Sequence, residues 1–452
     1  MKLTILGGGG FRTPLVYGEL LRDRAQPRVD QVALYDPDGD RLAVVGALLA
    51  QMASGDPDAP SVTTSSDLGA ALDGADFVFA AIRVGGLAGR VADERVALDR
   101  GLLGQETTGA GGLSYGLRTV PVMDAIARRI REVAPSAFVL NFTNPAGIVT
   151  EAMQAELGDR VVGICDTPSG LGRRVAALSG VDPDEVFCDY VGLNHLGWLR
   201  RVLHHGVDVL PELIADPRRL RQLEEGVVFG PDWIQALGSI PNEYLYYYYC
   251  NRDAIASIAA ASSTRGESLL SSQTAFYAGL RADPTHGYER WQQAVDARSA
   301  AYMAEAKAGK PGSSTLTPPD RAEQLGYAGV ALNVMAAIGR GERTQMILNV
   351  RNGSAVPGLP ADAVVEVPAV VDGNGVRPLA TAPPDLHQLG LMQQLKHVER
   401  LVIRAARTGS VTDAVRAFAL HPLVDSISVA RELLAAYRQA IPELDVVFSR
   451  DR

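Results

Sequence analysis

The chain opens on Lys2-Leu3-Thr4-Ile5-Leu6 and runs straight into four consecutive glycines, Gly7 to Gly10. No other stretch restricts the fold as much. KLTIL reads as a buried strand, and LVYGELLRDR beyond the glycines has the spacing of an amphipathic helix. Strand, glycine turn and helix in that order begin a βα unit. Its glycines let the backbone turn tightly and approach a pyrophosphate, whose charge meets the helix N-terminus. A second β run, QVALYD, ends on Asp36. An acid there can accept hydrogen bonds from the ribose hydroxyls of NAD and disfavours the 2′-phosphate of NADP. The fingerprint is imperfect: counted from Gly7 the third glycine position holds Arg12, and counted from Gly8 it holds Thr13. The expected cofactor contacts are therefore Gly7, Gly8, Gly9, Gly10, Phe11, Arg12 and Asp36.

More βα units follow. ADFVFAAI (75–82), SAFVLNFTNP (136–145) and RVVGIC (160–165) are apolar runs of the kind buried on both faces, separated by helices such as VPVMDAIARRIREVA. Right-handed crossovers make this an α/β fold with a doubly wound, Rossmann-type parallel sheet, expected to hold NAD over residues 1–180. From about residue 181, longer helices alternate with short strands, which predicts an α+β substrate domain over 181–452 and an overall lactate/malate dehydrogenase-like architecture. Residues 307–323, rich in Pro, Gly and Ser, read as a surface loop or linker. Two amphipathic helices near the C-terminus suggest self-association as a homodimer or homotetramer.

Composition excludes several function classes. A net charge of −9 argues against nucleic acid, whose backbone needs a basic face. No apolar run reaches the roughly 18 residues of a spanning helix, so no membrane partner is expected. Three cysteines without framework spacing suit a reducing cytoplasm.

Cys165 stands at the exit of the RVVGIC run, and His195 follows in the turn-like GLNHLGW. A thiolate and an imidazole from two loops can hold one divalent transition metal. Two protein ligands are too few for a closed structural site, so such a metal would be completed by substrate or water. Read alone, the pair fits a buried thiol and a hydrogen-bonded core imidazole better than a metal site, and the remaining motifs must shift that balance.

The ordered set of a glycine-rich start, IRVGG, GQETTGAGG, NFTNPAG, CDTP, GLNHLGW and PNEYLYYYY resembles the NAD- and manganese-dependent family four glycoside hydrolases, the 6-phospho-glucosidases and their relatives. The resemblance runs from residue 1 to about 270 and is looser beyond. It implies a redox route: NAD oxidises C3 of the sugar, a base takes the acidified C2 proton, the C1 substituent is eliminated, water adds, and the hydrogen returns to C3. It also implies Cys165 and His195 as ligands of Mn2+ or another divalent metal, and Tyr244 of the tyrosine run as the base. Glu106 is implied as the acid assisting that base. Arg90 and Arg265 align with family contacts to a small phosphorylated sugar, Arg83 as a third, and Asn144 near both sugar and nicotinamide. Members acting on β-linked substrates usually carry CNVP after the metal cysteine, and those acting on α-linked ones tend to carry CDMP, whose Asp protonates the leaving oxygen. This chain has CDTP, so Asp166 as general acid would favour an α-linked substrate, whereas GQETTG and GLNHLGW favour the 6-phospho-β-glucosidase type. The reading leans to β. The competing class is an NAD-dependent 2-hydroxy acid dehydrogenase, which needs no metal-binding cysteine.

Overall fold

The computed structural model describes residues 1–300, 303–307, 310 and 326–449. Most of the expected loop at 307–323 lies outside the described residues. Six short strands, β1 (Lys2–Leu6), β2 (Gln31–Tyr35), β3 (Ser61–Ser65), β4 (Phe77–Ala80), β5 (Phe138–Asn141) and β6 (Val161–Gly163), pair in parallel in the order 3-2-1-4-5-6. The direction of winding reverses between β1 and β4. That switch point opens a crevice at the carboxyl ends of the strands, where ligands bind in open α/β sheets. Strand β4, FVFA, and strand β5, FVLN, are buried at every position, as expected of strands covered on both faces.

The sheet continues without interruption into the second half of the chain. β6 is followed by β11 (Thr344–Arg351), β12 (Val364–Asp372), β7 (Val186–Leu193), β8 (Leu196–His204) and β10 (Ile240–Pro241), all antiparallel, with β9 (Val207–Asp208) and β13 (Gly375–Pro378) at the margins. This places the chain firmly in the α/β class expected. The sheet shared by the two halves was not visible in the sequence, because β11 and β12 return from beyond residue 340 to pair between β6 and β7.

The helices that matter for the site are α1 (Thr13–Arg22), α2 (Gly39–Met52), α3 (Gly86–Leu98), α4 (Ala110–Val133), α5 (Ala146–Leu157) and α6 (Thr167–Leu178). They continue with α7 (Arg265–Ala282), α8 (Gly287–Ala300), α9 (Gly326–Arg340), α10 (Leu386–Thr408), α11 (Val411–Leu420) and α12 (Ile427–Ala440). Helix α7 starts with a full capping box, Thr264 and Glu267 each accepting from the other's backbone amide, which fixes Arg265 at its first position. The amphipathic faces of α10 and α12 turn inward: Leu401, Val402, Leu433 and Leu434 share one core with Leu113 and Leu117 of α4. Much of the apolar surface from which self-association was expected is thus spent within the chain. The stretch PELIADPRRLRQLEEG forms three short helices, Leu210–Ala215, Pro217–Leu220 and Glu224–Phe229, the first break falling where Pro217 cannot donate to the preceding turn. No helix among the described residues is long and apolar enough to cross a membrane.

Candidate active site

The glycine turn after β1 is packed against both neighbouring strands. Gly7 has φ +81°, and a Cβ built there would lie 2.6 Å from the Ala81 carbonyl oxygen; one on Gly8 would lie 2.6 Å from Leu34 Cβ. Only glycine lets the backbone approach so closely. Asp36, just past β2, accepts hydrogen bonds from the amides of Gly9 at 3.2 Å and Asp38 at 3.0 Å. Burial raises its pKa, against the pull of those amides and of Arg41. A narrow glycine cradle with an acid at the next strand end fits a dinucleotide.

The second half of the chain fastens this turn. Tyr277 of α7 donates to the Gly9 carbonyl at 2.8 Å, Trp291 of α8 to the Phe11 carbonyl at 2.9 Å, and Tyr327 of α9 to the Arg12 carbonyl at 3.4 Å. Where the dinucleotide fingerprint would have its third glycine, the guanidinium of Arg12 lies 5.2 Å above the Phe142 ring and 5.0 Å above that of Tyr327. The departure from the fingerprint therefore adds a cation beside the turn.

A group of arginines faces the same crevice. Arg83, after β4, and Arg90, on α3, each hold one oxygen of Glu106, at 2.5 and 2.6 Å, and Arg90 also pairs with Glu94 at 2.8 Å. Burial opposes ionisation of Glu106, but Arg83 and Arg90 prevail and hold its pKa down at about 2. Arg265 donates to the backbone carbonyl of Arg298 at 2.8 Å, and the Arg298 guanidinium lies 5.8 Å from the Phe11 ring centroid. Burial, and then the charges of Arg12, Arg90 and Arg265, press the pKa of Arg298 well below its ordinary value. Arginine does not give up its proton in a protein. An anion seated there would relieve that crowding, and among the described residues guanidinium groups here outnumber carboxylates.

The two proposed metal ligands are buried. His195 has φ +107°, a conformation rarely adopted by a residue with a side chain and one that clusters at functional sites. Its Nδ1 lies 3.2 Å from Thr107 Oγ1, and its ring stacks on Tyr244 with centroids 3.8 Å apart and planes 4° from parallel. Burial pushes its pKa down to about 4, so the ring is neutral and can act as a ligand. The Cys165 loop meets this group through Thr167, whose hydroxyl donates to Glu243 at 2.9 Å, next in sequence to Tyr244. Burial raises the Cys165 thiol well above its usual range, and Glu366, Asp166 and Glu243 add to the effect. A buried sulfur with carboxyls around it and a buried neutral imidazole are donors that suit a divalent cation. Among the described residues no group of three such donors includes Cys165 or His195, so a cation held by these two would keep an open shell for substrate.

Sequence reasoning missed three residues here. Glu366 of β12 accepts from Asn349 at 2.8 Å and from Asn194 and Tyr190 at 3.3 Å each, and burial raises its pKa to about 7. It orients Asn194, the neighbour of His195. An acid set between valines in VVEVPAVVD and an asparagine set between apolar residues in TQMILNVR were legible signals for Glu366 and Asn349; Arg298, in an ordinary polar helix, left none. Asp166 precedes α6 and presses against Gly326, where a Cβ would meet its own Cβ at 2.6 Å. Asn144 is half-buried just before α5. Cys165, His195, Tyr244, Asp166, Glu106 and the arginines therefore gather at one end of the sheet, beside the glycine turn.

Two family profiles match the chain: Family 4 glycosyl hydrolase over residues 2–181, and Family 4 glycosyl hydrolase C-terminal domain over 190–424. A probable 6-phospho-beta-glucosidase of Bacillus subtilis is 33% identical over 98% of both chains. The 6-phospho-beta-glucosidase of Thermotoga maritima, solved with manganese, NAD+ and glucose-6-phosphate, aligns with TM-score 0.82 at 27% identity over 98% of this chain and 99% of that one. A 6-phospho-alpha-glucosidase from gut microorganisms, solved with NAD and Mn2+, aligns with TM-score 0.79 at 27% identity over 97% of each. Lactate dehydrogenase of Eimeria maxima shares the fold alone, with TM-score 0.53 at 14% identity.

Proposed function

Because this chain belongs to the family 4 glycosyl hydrolases, an enzyme family that cleaves glycosidic bonds, we propose that it hydrolyses 6-phosphoglucosides with NAD and a divalent metal, Mn2+ foremost. The observation that carries the substrate class is the gathering of guanidinium groups beside the cofactor turn, with Arg12, Arg90 and Arg265 all close enough to act on the buried Arg298. Planar guanidinium forks match the oxygens of a phosphate better than any other side chain. A 2-hydroxy acid dehydrogenase would need one such arginine for a carboxylate and would have no use for the Cys165–His195 pair.

Bound NAD would supply a reversible two-electron oxidation at C3 of the sugar, and a cation on Cys165 and His195 would supply Lewis-acid polarisation of the sugar oxygens. The chain's own residues do the rest. Asp36 and the turn from Gly7 to Arg12 hold the nucleotide, with Asn144 beside its nicotinamide end. Arg90, Arg265 and Arg298, with Arg83 behind them, hold the C6 phosphate. Tyr244, fixed face to face with His195, takes the proton from C2 as the C1 substituent leaves. Glu106, ionised between two arginines, keeps Arg83 and Arg90 in place, and its neighbour Thr107 touches His195, on which Tyr244 stacks. Addition of water completes a net hydrolysis.

A β-linked substrate is the first reading, supported by the wording of GQETTG and GLNHLGW. An α-linked substrate is the second, supported by Asp166 directly after Cys165, where it can protonate the leaving oxygen. In this reading residues 1–180 form the cofactor domain and 181–452 the substrate domain, with Arg83, Arg90, Cys165 and Asp166 reaching the sugar from the first. The enzyme acts in the cytoplasm as a homodimer or homotetramer, with Leu386 (90% exposed) and Ile427 (59% exposed) as apolar side chains still free for contact. Turnover of chromogenic α- and β-linked 6-phosphoglucosides, each with and without NAD and Mn2+, tests the reaction and its cofactors. Undiminished activity after removal of nucleotide and metal would refute the proposal, and the faster anomer decides between the two readings.

A further inference from the structure

The β7–β8 hairpin has two ends. His195 sits in its connecting turn, and at the other end Glu185, just before β7, meets His204, the last residue of β8, and His205 in the turn to β9. The pairing of Val186 with His204 sets this register. One carboxylate oxygen, Glu185 Oε2, lies 3.3 Å from His204 Nε2 and 3.6 Å from His205 Nε2. The two imidazole rings are 4.1 Å apart between centroids, and one donor atom from each of the three side chains falls within 4.8 Å of the others. The turn that brings this about is left-handed at both central positions, with φ +49° at His205 and +83° at Gly206. A non-glycine residue held there is uncommon.

Two ligand atoms on a tetrahedral ion, at bond lengths of about 2.0–2.2 Å, stand roughly 3.3–3.6 Å apart. The two observed nitrogen–oxygen separations equal that edge. We propose that Glu185, His204 and His205 form a second divalent metal site, separate from Cys165 and His195, for a borderline-soft ion such as Zn2+, with water completing the shell. Two imidazoles with one carboxylate select zinc, nickel or copper over manganese and magnesium, which prefer oxygen. The side chains of His205 (74% exposed) and Glu185 (55% exposed) leave the position open to an ion from solution. A bound ion would tie the start of β7 to the β8–β9 turn and so stiffen the hairpin whose far end carries His195.

The test is calorimetric titration of Zn2+ alone into the NAD-saturated Cys165→Ser protein, in a buffer that does not bind metal, so that the first site cannot contribute. One zinc per chain is expected, with affinity at least about tenfold weaker when Cys165→Ser is combined with His205→Ala or Glu185→Gln. Zinc should also raise the melting temperature of the Cys165→Ser protein and not that of the combined variants. His205 is exposed in a turn, so its removal leaves the fold intact and the comparison valid. The proposal falls if the Cys165→Ser protein takes up no zinc, or if either combined variant binds it unchanged.

Discussion

Replacing Arg298 by Met tests the substrate assignment at the residue that only the structure revealed. Met can still cover the Phe11 ring, over which the guanidinium lies, and leaves the backbone carbonyl that accepts from Arg265, so the change removes chiefly the charge. A guanidinium–phosphate contact contributes about 1.5–3 kcal/mol, since both partners are charged. At about 1.4 kcal/mol per factor of ten, kcat/KM for a chromogenic 6-phosphoglucoside should fall roughly 10- to 150-fold. The loss should appear mainly in KM, as an interaction made in ground and transition states alike. NAD affinity, followed by tryptophan fluorescence, should change little. The unliganded variant should also unfold at a higher urea concentration than the wild type, because the Arg298 charge is buried and faces Arg12, Arg90 and Arg265. A variant whose kcat/KM stays within about twofold of wild type, or whose unliganded form is less stable, would show that Arg298 is an ordinary surface cation and that the phosphate sits elsewhere.

Cys165→Ser should remove manganese, measured by atomic absorption of the dialysed protein, together with activity, while NAD binding persists; retention of wild-type rates would sink the metal assignment. Asp36→Ala should weaken NAD by about 1–3 kcal/mol and narrow the preference over NADP. Arg41, stacked 4.4 Å from the Tyr277 ring and freed of its acidic neighbour, would then face a 2′-phosphate. Equilibrium dialysis with each nucleotide reads this out, and an unchanged NAD/NADP ratio counts against Asp36 as the ribose acceptor. Burial pushes the pKa of His421 down to about 3, and its Nδ1 accepts from the Leu423 amide at 3.1 Å, which requires the neutral ring. Its folded pKa is thus below the unfolded value of about 6.5, so the stabilisation is complete above that pH and is lost as pH falls toward 3. At pH 5 the loss should be about 2 kcal/mol, and urea unfolding of wild type and His421→Gln at pH 7 and pH 5 should show a smaller pH effect in the variant.

What the sequence determined by itself was local. Glycines at Gly7 and Gly8, Asp36 at a strand end, Cys165 after an apolar strand and Tyr244 in a distinctive run are each fixed by neighbours a few residues away, and the order of βα units determined the parallel half of the sheet. Tertiary structure decided what depends on long returns of the chain. β11 and β12 insert beside β6 and bring Glu366 and Asn349 under the site, α7 and α8 carry Tyr277 and Trp291 back to the glycine turn, and Arg298 arrives among the other arginines. The register of a strand, or the face on which a helix packs, is set by partners hundreds of residues away, and an arginine reveals whether it lacks a counter-charge only when the whole chain has closed around it.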